Sequence, residues 1–149
     1  MISLDRTRDI ISFANQLKMY WKTNDPYEIA EIYGFKIRFV DSSHPGFKAH
    51  VVGISGYPTV ISINNSYTPH AKRILCAHEL GHALLHSENV CNHFAESIAS
   101  IHSNSEYEAN LFAVALLADD SILSKLNPSL ESMDNYALKS ILDYNLCKR

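Results

Sequence analysis

The residues best suited to chemistry lie in His78-Glu79-Leu80-Gly81-His82-Ala83-Leu84-Leu85-His86, which contains H-E-x-x-H within an apolar-periodic run. Two histidines four residues apart on a helix stack on one face and can share a single metal ion. A glutamate beside the first histidine can act on a metal-activated water. This combination points to a zinc-dependent hydrolase, most often a peptidase. In that chemistry Glu79 is the catalytic residue. It takes the proton from the attacking water and passes it to the leaving amine, while Zn²⁺ polarises the carbonyl and brings the water's pKa toward about 7.

A hydrolytic zinc usually takes three protein ligands. His78 and His82 are two of them, and one zinc per chain is expected. His86 continues the i+4 series but rises about 12 Å along the helix from His78, too far to share the ion. It fits instead at the helix C-terminus, against the dipole. Glu88, His93, Glu96, His102, Glu106 and Glu108 remain as candidates for the third position. Helical phase separates the last two. Glu106 lies about 50° from the centre of the stripe Ala109, Phe112, Ala113, Leu116 and Leu117, and Glu108 more than about 100° away. Glu106 is therefore the expected third ligand, and Glu108 is expected to point sideways. Asn110 follows Glu106 by one turn, and its amide oxygen could accept the free N–H of His78 or His82. Gly81 between the histidines costs roughly 1 kcal/mol against Ala in a helix, so a neighbouring element should approach closely there. A second oxyanion donor could come from Tyr67, His93, His102 or Tyr107, and the sequence does not choose among them.

The elements that must position these residues follow from periodicity and turn chemistry. Ile10, Ala14, Leu17 and Trp21 give a first helix over about residues 5–21. Asn24-Asp25-Pro26 starts a short helix that stops at Gly34. Residues 35–40 alternate as a strand with one buried face, and 48–54 and 57–63 read as a hairpin around Ser55-Gly56. Thr68-Pro69 caps the motif helix, which runs to about Ser87. Residues 88–102 are ambiguous, with a short helix conceivable over Phe94 to Ile101; a helix opening at Ser103 or Ser105 then carries Glu106. Asp119-Asp120 ends it, Asn127-Pro128 turns, and a last helix covers about 133–146. The expected fold is α+β: one domain over residues 1–149, with a small, mostly antiparallel three-stranded sheet against the H-E-x-x-H and glutamate helices. The 57–63 run is the expected open edge for a substrate strand.

With 149 residues and a net charge of −3, but no basic stripe, the chain is not expected to bind nucleic acid directly. No apolar stretch approaches the roughly 20 residues of a membrane span. Met1 to Asp9 has no apolar segment behind it and reads as no secretory signal. Cys76, Cys91 and Cys147 have no metal-binding spacing and suit a reducing, cytoplasmic setting.

Two segments, Ala77-His78-Glu79-Leu80-Gly81-His82-Ala83-Leu84-Leu85-His86 and Glu106-Tyr107-Glu108-Ala109-Asn110-Leu111-Phe112-Ala113, together resemble the ImmA/IrrE-type (M78-like) zinc metallopeptidases. The resemblance covers roughly residues 5–120. It implies a zincin-like fold, places the third ligand on Glu106, and implies a cytosolic endopeptidase of phage or mobile-element origin. Several such proteins act as antirepressors by cleaving a helix-turn-helix repressor. Here Leu116-Leu117 is followed by Ala118-Asp119 where the family often has Met-Pro, and no DNA-binding domain is fused. The implied repressor is then a separate protein. Two alternatives stay open: a zinc-binding regulator that binds its partner without cutting it, and a toxin-like protease held by an antitoxin.

Overall fold

The computed structural model describes residues 3–44, 46–86, 104–118 and 129–144. Their order is helix α1 (Leu4–Trp21), α2 (Pro26–Ile32), strands β1 (Lys36–Val40), β2 (Ala49–Val52) and β3 (Val60–Asn64), and helices α3 (Pro69–Leu85) and α4 (Asn104–Leu117). A short 3₁₀ turn (Leu130–Ser132) and helix α5 (Asn135–Tyr144) follow. The α+β expectation holds.

Local chemistry sets the helix starts. The hydroxyl of Ser3 accepts from the Arg6 amide, the Asp25 carboxylate from Tyr27 and the Thr68 hydroxyl from Ala71. Each satisfies an amide that lacks an intrahelical partner. Pro26 and Pro69 add a preset φ at the first turn. Helix α2 ends where Gly34 adopts φ 78°, with its N–H on Glu31 O and that of Phe35 on Ala30 O. This left-handed stop turns the chain straight into β1.

The sheet differs from expectation in two respects. Its order is β1-β3-β2, with β1 parallel and β2 antiparallel to β3, so it is mixed. The run 57–63 therefore supplies the central strand, and it cannot be the open edge that the sequence suggested. The reason is its composition: Ile61 and Ile63 are fully buried, and Ser62 and Asn64 nearly so. A strand covered on both faces belongs inside a sheet. β2 and β3 do pair as a hairpin, but Val52 faces Val60, so the connection is longer than a Ser-Gly turn. The buried Asn64 ties the two ends of this unit together. Its amide donates to Phe47 O before β2, and its carbonyl oxygen accepts from Ser66 N ahead of α3.

Helix α4 is the centre of the molecule. Every residue from Tyr107 to Leu116 is buried, and α4 touches α3, α1 and α5. The stripe read from the sequence is only part of its apolar surface, since Leu111, Val114 and Ala115 are also buried. Lys18 of α1 closes its C-terminal end by donating to Ala115 O and Ala118 O. Against α3, the close approach occurs at Gly81. A Cβ there would lie 3.1 Å from Phe112 Cδ1, 3.2 Å from Ala109 Cα and 3.3 Å from Ala109 O. Glycine lets the two helix backbones meet, which brings the histidine face of α3 onto the first turns of α4.

Candidate metal centre

That contact places three side chains together. Glu106 Oε2 stands 3.2 Å from His78 Nε2, and Glu106 Oε1 stands 3.3 Å from His82 Nε2. One potential ligand atom from each of His78, His82 and Glu106 lies within 4.8 Å of the others. Two imidazole nitrogens and a carboxylate oxygen are the donor set of a hydrolytic zinc site. Ligands at about 2.0–2.2 Å around a tetrahedral ion stand about 3.3–3.6 Å apart, close to the spacing seen here. The residues present fit one divalent ion.

Electrostatics agree with the geometry. Burial opposes ionisation of Glu106, but the hydrogen bonds and charges of His78 and His82 outweigh it and hold the carboxyl far below the usual range. Burial also works against a charged His78, yet Glu106, Glu79 and a hydrogen bond with Asn110 raise its pKa overall. Asn110 itself gives its amide N–H to Asn135 Oδ1 at 2.8 Å, which ties the site to the start of α5. Glu79 behaves oppositely to Glu106. Burial, with Glu106 adding and His78 opposing, pushes its carboxyl up to about 7. Such a carboxyl exchanges protons near neutral pH.

His78, Glu79 and Glu106 open onto a cavity of about 910 Å³. Its other walls include Arg38 and Val40 of β1, His50 of β2, Phe47 and Lys48 before it, and Lys139 and Asp143 of α5. Nothing in the motif pattern indicated that the far C-terminal helix borders this space.

The remaining expected residues divide. His86 is the C-cap of α3, with its backbone N–H on His82 O. Its ring is not at the metal-type cluster but 3.3 Å from His82, Nδ1 to Nδ1, with Nε2 2.8 Å from Glu108 Oε1. Glu108 lies off the metal-type cluster, as its phase predicts. It is buried and held by Arg6, with Nε 3.0 Å from Oε2 and Nη2 2.9 Å from Oε1. Sequence reasoning missed this pairing because α4 is enclosed on several sides, so a residue off the main stripe still meets a neighbour. Tyr107 gives its hydroxyl to Met133 O at 2.6 Å and is 4% exposed, so it is part of the packing. Tyr67 is likewise buried in the core. Glu88, His93, Glu96, His102, Cys91 and Cys147 lie outside the described residues.

A helix carrying H-E-x-x-H, a glutamate from a second helix and a small sheet beside them define the zincin-like class of metal-dependent hydrolase folds. The chain belongs to the M78 peptidase family, matching the IrrE N-terminal-like domain over residues 30–141. It is also similar to "Uncharacterized immunity region protein 2" of Bacillus phage phi105. The two are 29% identical over 121 residues, spanning 79% of this chain and 73% of the phage protein. Among the described residues, no helix is long and apolar enough to cross a membrane.

Proposed function

We propose that this chain is a cytoplasmic, zinc-dependent endopeptidase that cuts a protein regulator, a helix-turn-helix repressor being the best candidate. The observation that carries this reading is the convergence of His78, His82 and Glu106, with His78, Glu79 and Glu106 opening onto one cavity. His78, His82 and Glu106 hold the ion, and Asn110 steadies His78. When bound, the ion supplies a Lewis acid and brings water into the range where it ionises near neutral pH. The Glu79 carboxylate accepts a proton from the attacking water and returns it to the departing amine nitrogen. The cavity walls of β2 and the segment before it position the peptide.

The phage relative's description as an immunity region protein supports a regulator as the target. The test is incubation of the zinc-loaded chain with the repressor encoded beside its gene. One specific cut, absent with Glu79→Gln, is the expected result. An intact repressor would refute this choice of substrate, and a cut that survives Glu79→Gln would refute the role of Glu79.

A further inference from the structure

The four side chains His82, His86, Glu108 and Arg6 form one continuous hydrogen-bonded row running from the candidate metal centre to the surface of α1. His82 Nδ1 is 3.3 Å from His86 Nδ1, His86 Nε2 is 2.8 Å from Glu108 Oε1, and Arg6 grips both Glu108 oxygens at 2.9 and 3.0 Å. With His86 neutral, the links take one direction when read from the Arg6 end. A guanidinium is always a donor, so Glu108 is held as a carboxylate. A carboxylate only accepts, so His86 places its proton on Nε2. His86 Nδ1 is then an acceptor, and it takes the Nδ1–H of His82. An ion bound between His82 Nε2 and Glu106 would replace the hydrogen bond that His82 otherwise gives Glu106, and the row then receives the His82 proton on Nδ1.

We infer that Arg6, Glu108 and His86 are positioning residues that select the metal-ligating tautomer of His82. The inference rests on the metal-site reading above and extends it to residues outside the H-E-x-x-H signature. The distances support it: three elements, α1, α3 and α4, contribute to the row, and Glu108 is 8% exposed, so the carboxylate is shielded from competing water. Outer hydrogen-bond partners of this kind fix both ring orientation and tautomer in histidine–metal sites. The row also shows why His86, too remote to bind the ion, stands one turn beyond His82.

Two variants separate this role from simple packing. His86→Phe keeps a ring of similar size but removes the acceptor. Glu108→Leu keeps similar bulk but removes the acceptor that holds the His86 proton on Nε2. Zinc affinity, measured by competition with a chromophoric chelator, should weaken by about 10- to 100-fold in both. Imidazole nitrogen NMR of the zinc-loaded protein should show His86 protonated on Nε2 alone in the wild type, with Nδ1 accepting from His82. Wild-type affinity in both folded variants, or a proton on His86 Nδ1 in the zinc-loaded wild type, would overturn the inference. The wild-type His86 tautomer decides the matter even if a variant fails to fold. His82→Ala distinguishes the two layers. If it loses zinc while His86→Phe does not, only the tautomer role fails; if it keeps wild-type affinity, the metal-site reading fails as well.

Discussion

Two buried glutamates on the seam between α3 and α4 meet opposite fates. Glu79 is 4% exposed and Glu108 is 8% exposed, so both lose hydration. At Glu108 burial is outweighed by hydrogen bonds and charge from Arg6 and His86, and the carboxyl is held below its ordinary range. At Glu79 burial remains the largest influence and the carboxyl rises to about 7. The comparison shows that depth alone does not make an acid reactive. A buried carboxylate clamped by a guanidinium is fixed as an anion and serves structure; one whose burial is only partly offset is poised for proton transfer.

Substituting each glutamate should break the comparison cleanly. Glu79→Gln should lower peptide hydrolysis by about 10²–10⁴-fold, followed as the rate of a single specific cut, while zinc content stays at the wild-type level. Its folding stability should match or slightly exceed the wild type, because a neutral amide replaces a group that is costly to ionise when buried. Glu108→Ala should do the reverse to stability and lose about 1–3 kcal/mol in urea unfolding, since Arg6 and His86 lose their shared acceptor. Equal stability losses at the two positions would mean that neighbouring groups do not distinguish them.

The seam itself is testable at Gly81. Alanine there gains about 1 kcal/mol of helix propensity but drives a Cβ against the Ala109 backbone at 3.2–3.3 Å, which has little freedom to yield. Gly81→Ala should therefore be destabilising overall by about 1–2 kcal/mol, measured by thermal or urea denaturation, and zinc affinity should fall as α4 moves off α3. A stabilised variant would show that the helices do not need glycine to approach.

The smallest expected effect lies away from the seam, at Tyr27. Burial, with Cys76 and Asp25 adding, pushes its phenol up to about 12. The unfolded chain releases that proton nearer pH 10, so between these values the native state binds more protons than the unfolded one. Stability should fall as pH rises through that window. Ultraviolet difference titration should show a late-ionising phenol that is lost in Tyr27→Phe, which should also flatten the alkaline decline.

What the sequence disclosed follows a physical boundary. The helical parts were legible because a 3.6-residue period is local: it set His78 above His82, and the phase of Glu106 against Ala109 and Phe112 turned that carboxylate inward, where the three side chains do meet. The need for close approach at Gly81 was legible for the same reason. Strand pairing was not, because a β-rich run such as 57–63 suits a central strand as well as an edge, and only contact with β1 on the other side decides it. The Arg6–Glu108 clamp was also hidden. Its partners are 102 residues apart, and their meeting depends on how α1 packs against α4.

Whether His78, His82 and Glu106 together hold one divalent ion is decided by zinc analysis of the loaded protein after gel filtration, with Glu106→Ala and His82→Ala run beside the wild type under the same conditions. One ion per wild-type chain and substantial loss in both variants is the predicted result. A wild-type chain that retains no zinc, or a Glu106→Ala chain that retains it fully, would contradict the account.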